Sequence, residues 1–191
     1  MKQGKVVILG GNARSGKTTL AVQLVNKGFS RISFDNLYES IENTLNIKMD
    51  ELPHSKQFKF FESVVDKAVE DAEVYGINTV IDMYDFLPAD VCKLKNKDKV
   101  LSYFLAYPSC DIKQISYNLK TYSEPTDWIA QVDEDYFIEC VKRFDKRNKI
   151  LVRECEKHNQ TLIDTSYGKN RKTILKQLLA EILKEDFKIT K

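Results

Sequence analysis

The sequence predicts a three-layer α/β fold, and three observations support this prediction. Five short apolar runs have the continuous hydrophobicity of strands that are buried on both faces of a parallel sheet. Between them lie stretches with apolar residues at steps of three and four, which is typical of amphipathic helices. Because these strands and helices alternate along the chain, we expect parallel strands joined by right-handed helical crossovers.

Each element is predicted from a particular stretch of sequence. The predicted strands are Lys5–Leu9, Arg31–Phe34, Thr79–Ile81, Val100–Ala106 and Thr161–Ile163. The predicted helices are Lys17–Lys27, Leu37–Leu45, Ser55–Tyr75, Glu134–His158 and Arg171–Lys184. Gly28 follows the first of these helices and Gly76 the third, in keeping with the preference for glycine just after a helix.

Two of the connections are longer than a minimal crossover requires. About 44 residues separate the second and third predicted strands, and about 54 separate the fourth and fifth. Connections of this length are expected to contain inserted helical segments at one edge of the sheet. A length of 191 residues suits one domain that carries such insertions, and we expect residues 1–191 to form it.

The composition argues against several classes of function. A net charge of +2 gives no electrostatic reason to expect nucleic acid or an acidic membrane surface as a partner. No apolar run approaches the length that spans a bilayer, and the first residues do not form a signal peptide. The four cysteines are widely spaced and form no CxxC pair, so neither a structural zinc site nor a disulfide framework is expected. We therefore expect a cytoplasmic protein, and the sequence does not indicate its oligomeric state.

A phosphate-binding motif follows directly after the first predicted strand. Residues 11–18 match the pattern G-x-x-x-x-G-K-[ST] in full. Glycines let the backbone fold closely around a polyphosphate, and the N–H groups of the loop form an anion-binding nest at the positive end of the next helix. The Lys17 ammonium reaches the outer phosphates, and the Thr18 hydroxyl is a ligand for Mg²⁺. The predicted contacts to the nucleotide are Gly11, Asn12, Ala13, Arg14, Ser15, Gly16, Lys17, Thr18 and Thr19.

The rest of the sequence distinguishes between the classes of protein that carry this motif. A GTPase would add a DxxG and an NKxD motif, but the chain has no DxxG, and its string at residues 96–98 precedes a strand out of register. Motor ATPases usually place a Glu beside the Asp that binds Mg²⁺, whereas Met83 follows Asp82 here. These differences favour the kinases of small molecules.

The sequence resembles the P-loop small-molecule and nucleoside-monophosphate kinases, a group that includes relatives of adenylate kinase and of shikimate kinase. The resemblance covers nearly the whole chain. It rests on GGNARSGKTT, on SFDNL after the second strand, on Asp82, on Asp127-Trp128 and on LIDTS at the fifth strand. It implies a five-stranded parallel sheet of order 2-3-1-4-5, with ATP and Mg²⁺ as cofactors. It also implies a substrate-covering insertion over residues 36–78 and a lid over about residues 111–135.

The resemblance further implies roles for individual side chains. Asp35 would contact the acceptor hydroxyl and take its proton; alternatively, it caps the helix Leu37–Leu45. Asp82 would bind Mg²⁺ together with the P-loop threonine, or it merely begins a loop. Arg143 and Arg147, one turn apart on the long helix, would close on the phosphates during catalysis, or they lie on a solvated helix face.

Other residues are weaker candidates. Lys113 and Lys120 could supply cations to the lid, which lacks the arginine found in many relatives of this group. Arg14 could reach a phosphate or support the lid, and Asp85 could extend the acidic edge of the sheet. The backbone of residues 164–168 is expected to pack beside the nucleotide base.

The sequence therefore predicts transfer of the γ-phosphate of Mg-ATP to a small-molecule or nucleotide acceptor. Nothing in it selects one acceptor. A nucleotide-binding regulator or slow ATPase that acts through a protein partner is the alternative. Such a protein would keep the phosphate loop and Asp82, but it would need no acceptor site.

Overall fold

The computed structural model describes residues 3–166 and 170–184, and its centre is a five-stranded parallel sheet. The strand order is β2-β3-β1-β4-β5, and every pair of neighbouring strands is parallel. The strands are β1 Val6–Gly11, β2 Ser30–Ser33, β3 Thr79–Asp82, β4 Leu101–Ala106 and β5 Thr161–Asp164. This arrangement confirms the predicted fold class and strand order.

Seven α-helices lie within the described residues. They are α1 Lys17–Val25, α2 Phe34–Leu45, α3 His54–Tyr75, α4 Pro88–Val91, α5 Ile112–Tyr122, α6 Glu134–His158 and α7 Arg171–Lys184. All five predicted helices are present, although α2 begins three residues earlier than expected, and α4 and α5 were not predicted. Within the described ranges, no helix is both long enough and apolar enough to cross a bilayer.

The helices cover both faces of the sheet, because alternate residues of each buried strand point in opposite directions. Val6 and Ile8 of β1 pack in one core with residues of α3 and α6. Val7 and Leu9 pack in a second core with residues of α1 and α7. These two cores account for the continuous apolar run of the first strand, and they make the domain three layers thick.

The two long connections contain helices, as expected. Residues 36–78 include most of α2, a short 3-10 turn and α3. Residues 111–135 include α5, a second 3-10 turn and the start of α6. A third apolar cluster, with Ile115 and Leu119 of α5 against Phe137 and Phe144 of α6, fixes this region to the long helix.

The register of the strands brings the ends of β1, β2 and β3 together. Asp82, the last residue of β3, pairs with Leu9 of β1 and with Ser33 of β2. In open parallel sheets, ligands bind outside the carboxyl ends of the strands. The phosphate-binding motif and the polar residues that end β2 and β3 therefore meet at one edge.

Candidate active site

The phosphate loop leaves β1 through two glycines that the packing requires. A Cβ atom at Gly10 would lie 2.5 Å from the Phe104 ring, and one at Gly11 would lie 2.1 Å from the Leu105 carbonyl oxygen. Gly11 also has a φ of +128°, which disfavours any residue with a side chain. Gly10 and Gly11, the last two residues of β1, are therefore glycine because the end of this strand lies very close to β4.

The loop is folded so that the start of α1 can accept an anion. The Ser15 hydroxyl and the Lys17 ammonium both donate to the Asn12 carbonyl oxygen, at 2.8 and 2.7 Å. Gly16 precedes the helix at a φ of +100°, and no side chain caps the helix N-terminus. The first N–H groups of α1 therefore have no side-chain acceptor, and such groups form an anion site.

The side chain of Asn12 fastens the loop to α6. Its Nδ2 donates to the Phe144 carbonyl at 2.8 Å and to Asn148 Oδ1 at 2.9 Å, and its Oδ1 accepts from the Ala13 N–H. Asn148 also exchanges hydrogen bonds with the backbone of Tyr107, whose hydroxyl donates to the Ala13 carbonyl at 3.0 Å. Asn12 thus holds the shape of the loop with its buried side chain.

Lys17 lies in an environment that weakens its charge. It is 8% exposed, and burial lowers its pKa to about 8 although the carboxylates of Asp82 and Asp35 act in the opposite direction. Its ammonium lies 5.9 Å from the centre of the Tyr84 ring. Among the described residues no carboxylate forms an ion pair with the Lys17 ammonium, and a phosphate group would provide an anionic partner that favours its charged form.

Asp82 accepts two hydrogen bonds on a single oxygen. The Thr18 hydroxyl donates to its Oδ2 at 3.0 Å, and the Arg31 guanidinium donates to the same atom at 2.7 Å. The carboxylate is 6% exposed and ends a buried strand. A hydroxyl beside a carboxylate is a set of hard oxygen donors that suits Mg²⁺, which commonly takes one or two carboxylates and fills its shell with phosphates and water. The pair Thr18 and Asp82 therefore fits the predicted metal, whereas the ion pair with Arg31 was not predicted.

Asp35 lies in a different local setting from the predicted one. β2 ends at Ser33, α2 begins at Phe34, and the Ser33 hydroxyl accepts from the Asn36 N–H at 3.5 Å. Ser33 is thus the N-cap, and the alternative in which Asp35 caps the helix is wrong. Asp35 occupies the first turn of α2, where partial desolvation raises the pKa of its carboxyl while Lys17 opposes the shift.

Two clefts adjoin the phosphate loop. The α7 cleft has a volume of about 410 Å³, and its lining residues are Arg14, Gly16, Lys17, Thr18, Thr19, Tyr122, Arg171, Lys172 and Leu175. The α6 cleft has a volume of about 380 Å³, and its lining residues are Ala13, Arg14, Lys17, Thr18, Asp35, Asp82, Tyr84, Trp128, Arg143 and Phe144. Three side chains, those of Arg14, Lys17 and Thr18, line both. The loop therefore borders two spaces that can each hold a small molecule.

The two arginines of α6 take different positions. Arg143 lines the α6 cleft, with its guanidinium 5.7 Å from the centre of the Phe144 ring. Arg147 stacks on the Tyr84 ring at 4.0 Å and donates to the Tyr84 carbonyl, and it is not among the described lining residues of either cleft. The structure thus brings Arg143 to the site, whereas Arg147 supports the ring of a lining residue.

The predicted lid contacts the loop through a carboxylate. Arg14 Nη2 donates to Asp127 Oδ2 at 2.7 Å, and it also lies 3.4 Å from the Ser123 hydroxyl and the Tyr122 carbonyl. The guanidinium lowers the pKa of Asp127. Arg14 therefore contacts the region predicted to be a lid, and it also lines both clefts.

The weaker candidates are mostly directed elsewhere. Lys120 pairs with Glu134 at 2.9 Å, and neither Lys120 nor Lys113 belongs to the described lining of either cleft. Asp85 is partly buried, and burial and the nearby Asp35 raise the pKa of its carboxyl. Of the segment predicted to flank the nucleotide base, Tyr167 and Gly168 lie outside the described residues.

Sequence reasoning missed several residues of the site, namely Arg31, Tyr84, Tyr107, Tyr122, Phe144, Asn148, Arg171 and Lys172. One of them carried a usable signal. Asn148 lies on the apolar stripe of α6, four residues after Phe144 and three before Leu151. A polar residue on a buried stripe needs a hydrogen-bond partner, and this one finds its partner in the phosphate loop.

Solved kinases share this architecture, although no protein-family model and no curated protein matches the sequence. A thymidylate kinase from Candida albicans is similar with a TM-score of 0.57 at 18% identity, over 95% of this chain and 92% of that one. A shikimate kinase from Bacteroides thetaiotaomicron is similar with a TM-score of 0.53 at 16% identity, over 95% of this chain and 99% of that one. A gluconokinase from Sinorhizobium meliloti is similar with a TM-score of 0.55 at 14% identity, over 95% of this chain and 92% of that one.

These likenesses extend over nearly the full length of both partners, and at such identities they establish the fold. The strand order found here agrees with the order that the resemblance implied. The neighbours act on different molecules, so they do not select an acceptor. The chain has the three-layer α/β fold of the P-loop kinases that act on nucleotides and small molecules.

Proposed function

We propose that this protein is a phosphotransferase, which moves the γ-phosphate of Mg-ATP to a small-molecule or nucleotide acceptor. The observation that carries the proposal is the pair of clefts that share Arg14, Lys17 and Thr18. Phosphoryl transfer needs a donor and an acceptor in line on opposite sides of the moving group. Two clefts that meet at a phosphate-binding lysine meet this requirement, and a protein that only binds nucleotide needs one.

The α7 cleft is the donor side of this proposal. The phosphates would lie on the N–H groups at the start of α1, with the Lys17 ammonium on the outer phosphates. The oxygens of Thr18 and Asp82, which already lie 3.0 Å apart, would hold Mg²⁺. When bound, Mg²⁺ would neutralise the charge on the transferring group.

The α6 cleft is the acceptor side. Asp35 is exposed at its wall, and among the described residues no side chain donates a hydrogen bond to its carboxylate. It would orient an acceptor hydroxyl and take its proton. Arg143 lies in the same cleft, where its charge would stabilise the transferring phosphate. Aromatic rings of Tyr84, Trp128 and Phe144 complete the lining and would pack on the body of the acceptor.

We assign residues 36–78 to the part of the single domain that covers the acceptor, and residues 111–135 to a lid. Asp35, which lines the α6 cleft, immediately precedes the first segment. The second is joined to the loop by the ion pair of Arg14 and Asp127, and closing it would exclude water from the transfer. All four cysteines are free thiols, which supports a reducing compartment such as the cytoplasm.

The test is ADP release from Mg-ATP across a panel of nucleosides, nucleoside monophosphates, sugars and hydroxy acids. We expect release that depends on one class of acceptor and is absent in K17A. Slow release that no acceptor accelerates would contradict the proposal. It would favour instead a nucleotide-binding regulator or slow ATPase that acts through a protein partner.

A further inference from the structure

The lid region contains few cations that could contact the donor phosphates. Residues 111–135 contain no arginine, and their only lysines are Lys113 and Lys120. Lys120 is bound to both carboxylate oxygens of Glu134, at 2.9 and 3.1 Å, and lies over the Phe137 ring. The ion pair between this region and the phosphate loop is made by Asp127, which is acidic. The cations that bind the donor phosphates must therefore come largely from other segments.

The α7 cleft has the charge of a polyphosphate site. Four cationic side chains line it, those of Arg14, Lys17, Arg171 and Lys172, and its described lining contains no carboxylate. Such a concentration of positive charge without carboxylates favours an anion with several charges. Two of the four cations belong to the phosphate loop motif. The other two begin α7, and neither the motif nor the predicted roles account for them.

Arg171 lies directly against the phosphate loop. Its Nη2 donates to the Arg14 carbonyl at 2.8 Å. A Cβ atom on Gly16 would lie 3.1 Å from Nη2 and 3.5 Å from Nε of the same guanidinium. The group therefore lies along the loop from Arg14 to Gly16, next to the N–H groups that open α1. A guanidinium has five N–H donors in a planar fork, which suits a phosphate group.

The position of Arg171 is fixed by the fold and does not depend on the lid. Leu175, Leu178 and Ile182 anchor α7 in the core that contains Val7 and Leu9 of β1. The first turn of α7 is thereby held beside the phosphate loop. A cation on this helix is in place before any movement of the lid.

From this arrangement we propose that Arg171, with Lys172 beside it, binds the phosphate chain of the donor nucleotide. The inference depends on the proposed function only in naming the α7 cleft as the donor side. It assigns the donor-side phosphate contact to the helix after β5 rather than to the lid. Donor phosphate affinity is then largely independent of the ion pair between Arg14 and Asp127.

The test measures binding of inorganic tripolyphosphate with Mg²⁺ to the full chain by calorimetry, so that neither the base nor the acceptor affects the result. Loss of a charge-assisted contact in R171A is expected to weaken binding roughly 10- to 100-fold. R171K, which keeps the charge, is expected to recover part of the loss. K176A, on an exposed position of the same helix, is the matched control and is expected to bind like the parent protein.

Binding by R171A within about twofold of the parent would overturn the inference. If R171A also melts at a lower temperature, R171K distinguishes a phosphate contact by Arg171 from a purely structural role in the loop. Recovered binding supports a phosphate contact, whereas an equal loss in R171K means that Arg171 only braces the loop. Because binding is measured without turnover, a failure here is distinct from a failure to find an acceptor.

Discussion

Arg31 of β2 and Asp82 of β3 form an ion pair at 2.7 Å, on the same carboxylate oxygen that accepts the hydroxyl of Thr18. The pair joins neighbouring parallel strands at the edge where the candidate active site lies. It places a fixed positive charge beside the two oxygen groups that would hold Mg²⁺. Arg31 therefore neutralises a buried carboxylate in the fold and would compete with Mg²⁺ for it.

Replacing Arg31 with Met is expected to strengthen Mg²⁺ binding. Removing the guanidinium takes away a positive charge that neutralises the Asp82 carboxylate. The Mg²⁺ concentration needed for half-maximal nucleotide binding should therefore fall roughly three- to tenfold. Calorimetric titration of the nucleotide at several Mg²⁺ concentrations measures this. K67M, at an exposed surface ion pair, serves as the control. An unchanged or higher Mg²⁺ requirement in R31M would show that Arg31 does not compete with the metal.

The depressed pKa of Lys17 predicts how stability depends on pH. The pKa of Lys17 is about 8 in the folded chain and 10.5 in the unfolded chain. Between these two pH values, the unfolded chain binds a proton at Lys17 that the folded chain does not. The contribution of this residue to the unfolding free energy therefore rises with pH between about 8 and 10.5. Below about pH 8, the buried charge of Lys17 destabilises the folded chain. K17M should thus be more stable than the ligand-free parent at pH 7, by roughly 1–3 kcal/mol, with the difference vanishing by about pH 10.5. Urea unfolding at pH 7, 9 and 10.5 tests this, and a difference that does not shrink would contradict it.

Asp35 is expected to be needed for transfer and not for donor binding. D35N should lower kcat at least roughly 100-fold while the ATP affinity stays near that of the parent, since the residue lines only the α6 cleft. E39Q, on the same helix and exposed, is the charge-matched control. Because the carboxyl pKa is raised above its usual 3.8, kcat of the parent should fall as the pH drops toward that raised value. A D35N variant that retains transfer would remove Asp35 from the mechanism.

The ion pair of Arg14 and Asp127 is expected to hold the lid region on the phosphate loop. D127N should leave global stability within about 1 kcal/mol of the parent, because the pair is partly exposed. Local order should change more, since Asp127 also accepts from the Glu124 N–H at 2.7 Å. Trp128 is the only tryptophan, so its fluorescence reports on this region directly. Identical emission spectra and identical amide exchange over residues 123–131 in D127N and the parent would contradict the assignment.

The side chain of Asn148 is expected to maintain the shape of the loop. N148A removes hydrogen bonds to Asn12 and Tyr107 in a buried setting, which should lower the unfolding free energy by roughly 2–4 kcal/mol and weaken nucleotide binding. N118A is a matched control, because Asn118 is equally buried but bonds to Gln114 and Cys110. Both variants should lose stability, and only N148A should lose nucleotide affinity. Equal effects on binding would mean that the network has no special relation to the loop.

The parts of the fold that could be predicted from the sequence are those with local causes. Continuous apolar runs marked the strands, and Gly76 marked the end of α3, whereas α1 ends at Val25 with Asn26 as its C-cap, before the predicted end at Gly28. The start of α2 was missed because Phe34 continues the apolar run of β2, although the cap at Ser33 was present in the sequence. The helix α5 was missed because its buried apolar stripe consists of only Ile115 and Leu119.

In the candidate site, too, the residues with local causes could be predicted and those brought in from distant segments could not. The phosphate loop was predictable because its residues are contiguous and each has a chemical reason for its position. Arg31, Tyr107 and Arg171 reach the site from other segments, with partners 51, 94 and 157 residues away in sequence. No local pattern marks such a contact, since it exists only after the sheet has formed. The two clefts likewise depend on how α6 and α7 pack against the loop.

Labelled ATP tests most directly whether a phosphoryl group passes from a donor in the α7 cleft to an acceptor in the α6 cleft. ATP that carries isotope in the γ-phosphate would be incubated with Mg²⁺, the protein and the acceptor selected by the panel, and the products would be separated by mass. We expect label on the acceptor with the parent protein, no label on it with K17A, and at least roughly 100-fold slower labelling with D35N. Label that appears only in inorganic phosphate, at a rate that D35N does not change, would contradict it.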